Sequence, residues 1–244
     1  MLREIKEKTV TALSRISMTL DLNIYSKERS DKLRYPLFKE KSLMINENTG
    51  QDIVYQYNKV HNLKLAASAI NHLLIRPDET FSFWYLVHKA DRKEKYKEAL
   101  VLKQGKIVPG YGGGLCQLAD LLFYAMLHSP LSIVERHGHK VIVFPSTDLN
   151  FPLGVDATVY EPYLDLKFKN TTSSSFVLDI SFDDSYMYIE LTSDTEFKEK
   201  FIIENRNIQY LKEEDRTVQI VDVYRNEEYL YTNCCQINYE IEGV

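Results

Sequence analysis

The segment PGYGGGLCQ, residues 109–117, limits what this chain can fold into more than any other. Glycine is scarce, nine in 244 residues, yet five of the nine fall between Gly105 and Gly114. Such clustering marks backbone that turns sharply or is approached more closely than a side chain would permit. The run that follows has apolar residues at 118, 121, 122, 125 and 126 and is apolar on its other sides as well. That pattern predicts a largely buried helix with Cys116 in its first turn.

A thiol at this place has distinctive chemistry. Unpaired N–H groups and the positive end of the helix dipole favour the thiolate, the nucleophilic form. Exposed N–H groups of a neighbouring glycine loop can hold an oxyanion. The plainer reading is that Cys116 is a small buried hydrophobe and the glycines form a tight turn.

Composition excludes several classes. A formal charge of −5 argues against nucleic acid or an anionic membrane surface as partner. Cys116, Cys234 and Cys235 are odd in number, two of them adjacent, which is no disulfide framework and fits a reducing compartment. No run approaches the ~20 apolar residues of a membrane span, and the first eight residues lack a secretory apolar core. The expected location is cytoplasmic, with no cofactor assigned and the oligomeric state left open.

Along the chain, periodicity predicts helices over about 5–20, from Asn58 to Ile75, and after Cys116. Leu43 to Ile45 and Ile53 to Tyr55 read as a hairpin, with a break at Tyr35-Pro36. Thr80 to Trp84 reads as extended, and 99–108 as a hairpin leading to the glycine segment. Further strands are expected over 133–143, 155–160, 164–169, 176–180, 187–192, 217–224 and 229–239. The fold class expected is α+β, mostly antiparallel sheet on a buried central helix. Three regions follow: 1–57, an N-terminal helix and hairpin; 58–195, a core domain; 196–244, a C-terminal strand extension.

Alternation along 133–143 places Glu135, His137 and His139 on one face, and the next strand carries Asp156 and Thr158. The order cysteine, histidine, carboxylate supplies a nucleophile, a base and a group to fix the imidazole tautomer. It resembles papain-like and transglutaminase-like thiol enzymes in element order only. Cys116 is the candidate nucleophile, His139 the base, His137 the alternative base and Asp156 the orienting carboxylate. Gly112, Gly113, Gly114 and Gln117 are candidate substrate-binding residues. No metal is assigned, although zinc on Cys116, His137 and His139 stays open beside the thiol reading. A phosphate loop is the weakest option, since the segment lacks the Lys-Ser/Thr ending.

The motifs FSF (81–83), YKEAL (96–100), GGGLCQ (112–117), IVERHGH (133–139) and GVDATV (154–159) together resemble the VanW family over about Asn58 to Lys169. The resemblance implies a bacterial protein associated with vancomycin and other glycopeptide resistance, hence with a peptidoglycan-precursor peptide. It supplies no reaction. Two functions are therefore expected: a cysteine-dependent hydrolase or acyltransferase acting on such a peptide, or a non-enzymatic accessory module that binds one or a partner protein. Serine replaces Ala119 in many relatives, so no hydroxyl is given a role there.

Overall fold

The structure is a computed structural model that describes residues 9–13, 23–103, 105–143, 151–213 and 216–239. Most of the helix expected over about 5–20 lies outside the described residues. Around the core run strands β1 (Tyr35–Leu43), β2 (Leu73–Ile75), β9 (Phe176–Phe182) and β10 (Tyr186–Ser193), in the sheet order β1-β10-β9-β2, all antiparallel. Helix α1 (Val54–Ser68) and helix α3 (Leu115–Leu127) pack together, and α3 also rests on β1 and β10. Short helix α2 (Phe83–Val87) follows β3 (Thr80–Ser82), which pairs with β8 (Lys167–Lys169) and through it β6 (Ser132–Glu135).

Helix α3 is the centre of the core, as its all-round apolar character predicts. Leu118, Leu121, Leu122, Phe123, Met126 and Leu127 are fully buried. Each such side chain contributes roughly 1.5–3 kcal/mol by leaving water. The fold class is α+β with mostly antiparallel sheet, in agreement with the sequence.

A second sheet has the order β11 (Ile203–Glu213), β12 (Arg216–Arg225), β13 (Glu228–Ile237) and β7 (Val141–Ile142). Its first three strands are antiparallel, and β13 meets β7 in parallel just beyond His139. The C-terminal residues thus reach the segment that carries the candidate histidines.

Four local expectations are corrected. Tyr35-Pro36 does not break the chain: β1 runs through it as an edge strand, where proline is tolerated, with a register shift between Pro36 and Phe38. The hairpin at Leu43 to Tyr55 is absent. Asp52 Oδ1 accepts the Val54 N–H at 2.9 Å, and Ile53 to Tyr55 enter helix α1 despite their β propensity. That helix ends at Ser68 rather than Ile75, because Leu73–Ile75 add to the edge of β9. Residues 155–160 form no strand, only a bridge from Tyr160 to Leu164. The 133–143 stretch, readable as one long strand or two halves of one, is two strands, β6 and β7.

Candidate active site

The hairpin β4 (Glu98–Lys103) and β5 (Lys106–Tyr111) delivers the chain to the glycine turn. Gly114 caps α3 with φ +93°, a left-handed conformation that other residues resist. Gly113 lies against the backbone of β4, where an added Cβ would stand 2.5 Å from the Ala99 carbonyl oxygen. Buried Asn62 of α1 secures the turn: its Nδ2 donates to Gly113 O at 3.0 Å and to Lys97 O at 2.9 Å, and its Oδ1 accepts from Lys97 N at 2.8 Å. Gly113→Ala is therefore expected to cost about 1–3 kcal/mol through overpacking. Urea denaturation of the variant checks it, and an unchanged midpoint counts against this close contact.

Cys116 is half-buried. Its sulfur lies 3.4 Å from Thr158 Oγ1 and 3.7 Å from the Val159 carbonyl oxygen. The thiol lies within electrostatic reach of the His139 ring. On the other side of the ring, Nδ1 meets Asp156 Oδ2 at 2.7 Å, and the same oxygen accepts the His139 backbone N–H at 2.6 Å. With Nδ1 on the carboxylate, Nε2 is the nitrogen left for the sulfur. Imidazole and carboxylate are in contact, and the sulfur is held nearby against Thr158 and Val159.

Arg136 completes the support. Its Nη2 donates to Asp156 Oδ1 at 2.6 Å, to Gly154 O at 2.9 Å and to Asn233 Oδ1 at 3.0 Å, and its Nε donates to Asp156 O at 2.7 Å. The guanidinium carbon lies 4.4 Å from the Tyr231 ring centre and 5.4 Å from that of Phe123. With its side chain only 9% exposed, this cation needs those acceptors and rings.

The electrostatics follow from this geometry. Burial alone would push the His139 imidazole down, but the Asp156 hydrogen bond, the thiol and the charge of Asp120 hold it well above its ordinary value. Burial would raise Asp156, yet His139 and Arg136 bring it below the usual carboxylate range. Asp120 is pushed up to about 7 by burial, with the Asp156 charge adding to the effect and His139 and Arg136 opposing it.

His137 goes elsewhere. Its Nε2 lies 3.0 Å from Glu135 Oε1, and Lys167 Nζ holds the other Glu135 oxygen at 2.7 Å. The shared face of Glu135 and His137 is present, but the strand ends at Glu135 and His139 turns to Asp156. Among the described residues, the donor atoms that converge within 4.8 Å are those of Asp120, His139 and Asp156, a set without His137. Both Asp156 oxygens already accept hydrogen bonds, and a guanidinium stands beside them.

The proposed substrate-binding residues are largely engaged by the fold. Gly112 N donates to Lys97 O at 3.1 Å, Gly113 N to Gly110 O at 3.3 Å and Gln117 N to Gly114 O at 3.1 Å. The Gln117 side-chain amide donates to Ser42 Oγ and Leu43 O, both at 2.7 Å. The first amides of α3, at Leu115 and Cys116, have no acceptor within the helix. Sequence reasoning missed Arg136, Asp120, Asn62 and Asn233, and it assigned Thr158 no contact with the sulfur. Asp120 carried a signal, as the one charged residue in Leu115–Leu127.

Fold and site together define an α+β protein in which a cysteine, a histidine and an aspartate converge between a buried helix and two loops. Residues 58–192 match the model of a family described as VanW like protein. The chain is 39% identical over 236 residues to the vancomycin B-type resistance protein VanW of Enterococcus faecalis, covering 92% of this chain and 86% of that protein. It is 34% identical over 154 residues to the uncharacterized protein YoaR of Bacillus subtilis, covering 62% of this chain and 46% of that protein. No solved structure matches. The chain belongs to the VanW family.

Proposed function

We propose that this protein is a cysteine-dependent hydrolase or acyltransferase acting on an amide or ester of a peptidoglycan-precursor peptide, in the setting of glycopeptide resistance. The observation that carries the reading is the pairing of His139 Nδ1 with Asp156 at 2.7 Å beside Cys116, whose sulfur contacts Thr158 of the same loop. The likeness to a vancomycin B-type resistance protein supports the substrate class.

In this scheme the raised His139 imidazole holds the Cys116 proton on Nε2, and the resulting thiolate attacks the carbonyl carbon. Negative charge gathers on the carbonyl oxygen, where the N–H groups at Leu115 and Cys116 stabilise it. Collapse breaks the bond to the leaving amine or alcohol, which takes its proton from His139. Water or a second nucleophile then releases the acyl group from the thioester. Asp156 keeps the ring in the productive tautomer and orientation throughout. All three cysteines are free thiols in the structure, which suits action in a reducing compartment such as the cytoplasm.

The test is acyl transfer to the thiol. The protein is mixed with a synthetic precursor pentapeptide, quenched in acid and digested for mass spectrometry, and an acyl adduct on Cys116 is expected. Iodoacetamide at neutral pH should label the same residue, and Asp156→Asn should slow that labelling by about tenfold or more. A Cys116 that stays unlabelled at neutral pH overturns the proposal. Peptide binding that persists in Cys116→Ser, without any adduct in the wild type, would instead assign the protein an accessory binding role.

A further inference from the structure

Asp120 is an unusual presence in helix α3, an acid in a helix whose other residues are uncharged. It lies four residues beyond Cys116, so both side chains leave the same helix face. Its Oδ1 accepts the Ala157 N–H at 2.6 Å. Ala157 stands between Asp156, which holds His139, and Thr158, whose hydroxyl is 3.4 Å from the Cys116 sulfur. One helix face therefore presents sulfur and carboxylate to a single loop.

The carboxylate also lies beside the imidazole, since donor atoms of Asp120, His139 and Asp156 fall within 4.8 Å of one another. The other groups that act on His139 are Asp156 from the 151–160 loop and Cys116 from α3, with Arg136 behind Asp156. Cys235 of β13 stands within electrostatic reach as well. Asp156 alone suffices to fix the tautomer. A second acid in this company calls for a separate purpose.

We propose that Asp120 is a positioning residue of this site, one carboxylate that ties the loop of Asp156 and Thr158 to the helix of Cys116 and stands as a second acidic partner to His139. The geometric part is independent of turnover; the importance for chemistry rests on the thiol-enzyme reading above. Burial that favours a proton on Asp120 near neutral pH accords with a shared acid–base network in which His139 and Asp120 exchange charge.

The experiment uses the whole chain labelled with ¹⁵N, in wild-type, Asp120→Asn and Asp120→Ala forms, and reads two NMR signals. Asparagine keeps an acceptor oxygen for Ala157 and removes the charge. The His139 titration midpoint should then fall toward the ordinary histidine range, while the Ala157 amide stays protected from hydrogen exchange. Alanine removes both functions: the midpoint falls again, and Ala157 exchange accelerates by about tenfold or more, the loss of one hydrogen bond of ~1.4 kcal/mol. An unchanged His139 midpoint in Asp120→Asn overturns the electrostatic role. Undiminished Ala157 protection in Asp120→Ala overturns the tie. Neither readout needs substrate, so a protein without turnover would defeat the enzyme reading and leave these results standing.

Discussion

Cys116→Ala is expected to abolish turnover of a precursor peptide, a loss on the order of 10⁶ in kcat for removal of a nucleophile that works as a unit with its base. The fold should survive, because alanine occupies less space than the thiol at a half-buried position and only the contacts to Thr158 Oγ1 and Val159 O disappear. The comparison that checks this is kcat beside the urea midpoint of the same preparation. Activity close to wild type in a folded Cys116→Ala protein would remove the sulfur from the mechanism.

Arg136→Met should produce the largest loss of stability, about 3–5 kcal/mol, because it takes from the buried Asp156 carboxylate one of its two cationic partners and strips several buried acceptors of their donor. Methionine keeps much of the apolar stem between Tyr231 and Phe123 but deprives Asp156 Oδ1, Gly154 O and Asn233 Oδ1 of a donor. Denaturant titration at several pH values separates packing from charge. His139, held above its ordinary 6.5, contributes stability that is full below 6.5 and is lost as pH rises through its folded value. Asp156, held below 3.8, contributes stability that is full above 3.8 and is lost as pH falls through its folded value. The pair therefore stabilises the wild type most between 3.8 and 6.5. Asp120 has the opposite sign: its ionisation opposes folding increasingly from 3.8 up to about 7. The loss on Arg136→Met should be greatest above pH 4, where Asp156 is charged, and should shrink in stronger acid. A loss below 1 kcal/mol at pH 6 would show that the guanidinium contributes little there.

The parts of the site legible in the sequence were those that local pattern reveals. Glycine crowding and a 3.6 period located Cys116 at the start of a buried helix, and strand alternation correctly put His137 beside Glu135. The same alternation failed at His139, because Arg136 and Gly138 leave the ladder and bring the chain against β13. Arg136 itself was invisible to periodicity. Its acceptors lie 18, 20 and 97 residues away in the chain, and only the folded molecule brings them together. Helix α1 began earlier than its apolar period because a polar residue, Asp52, receives the Val54 amide where β propensity pointed to a strand.

The reach of β13 has a consequence for the family as a whole. The segment shared with the family model stops at 192, yet Asn233 accepts from Arg136, and the Tyr231 hydroxyl donates to Gly154 O at 3.1 Å. The keystone of this arch is thus wedged from one side by the common segment and from the other by a hairpin outside it. A relative that bears the motif without such a hairpin has to seat its arginine against other abutments, and grafting the motif alone onto a new scaffold would leave that stone loose.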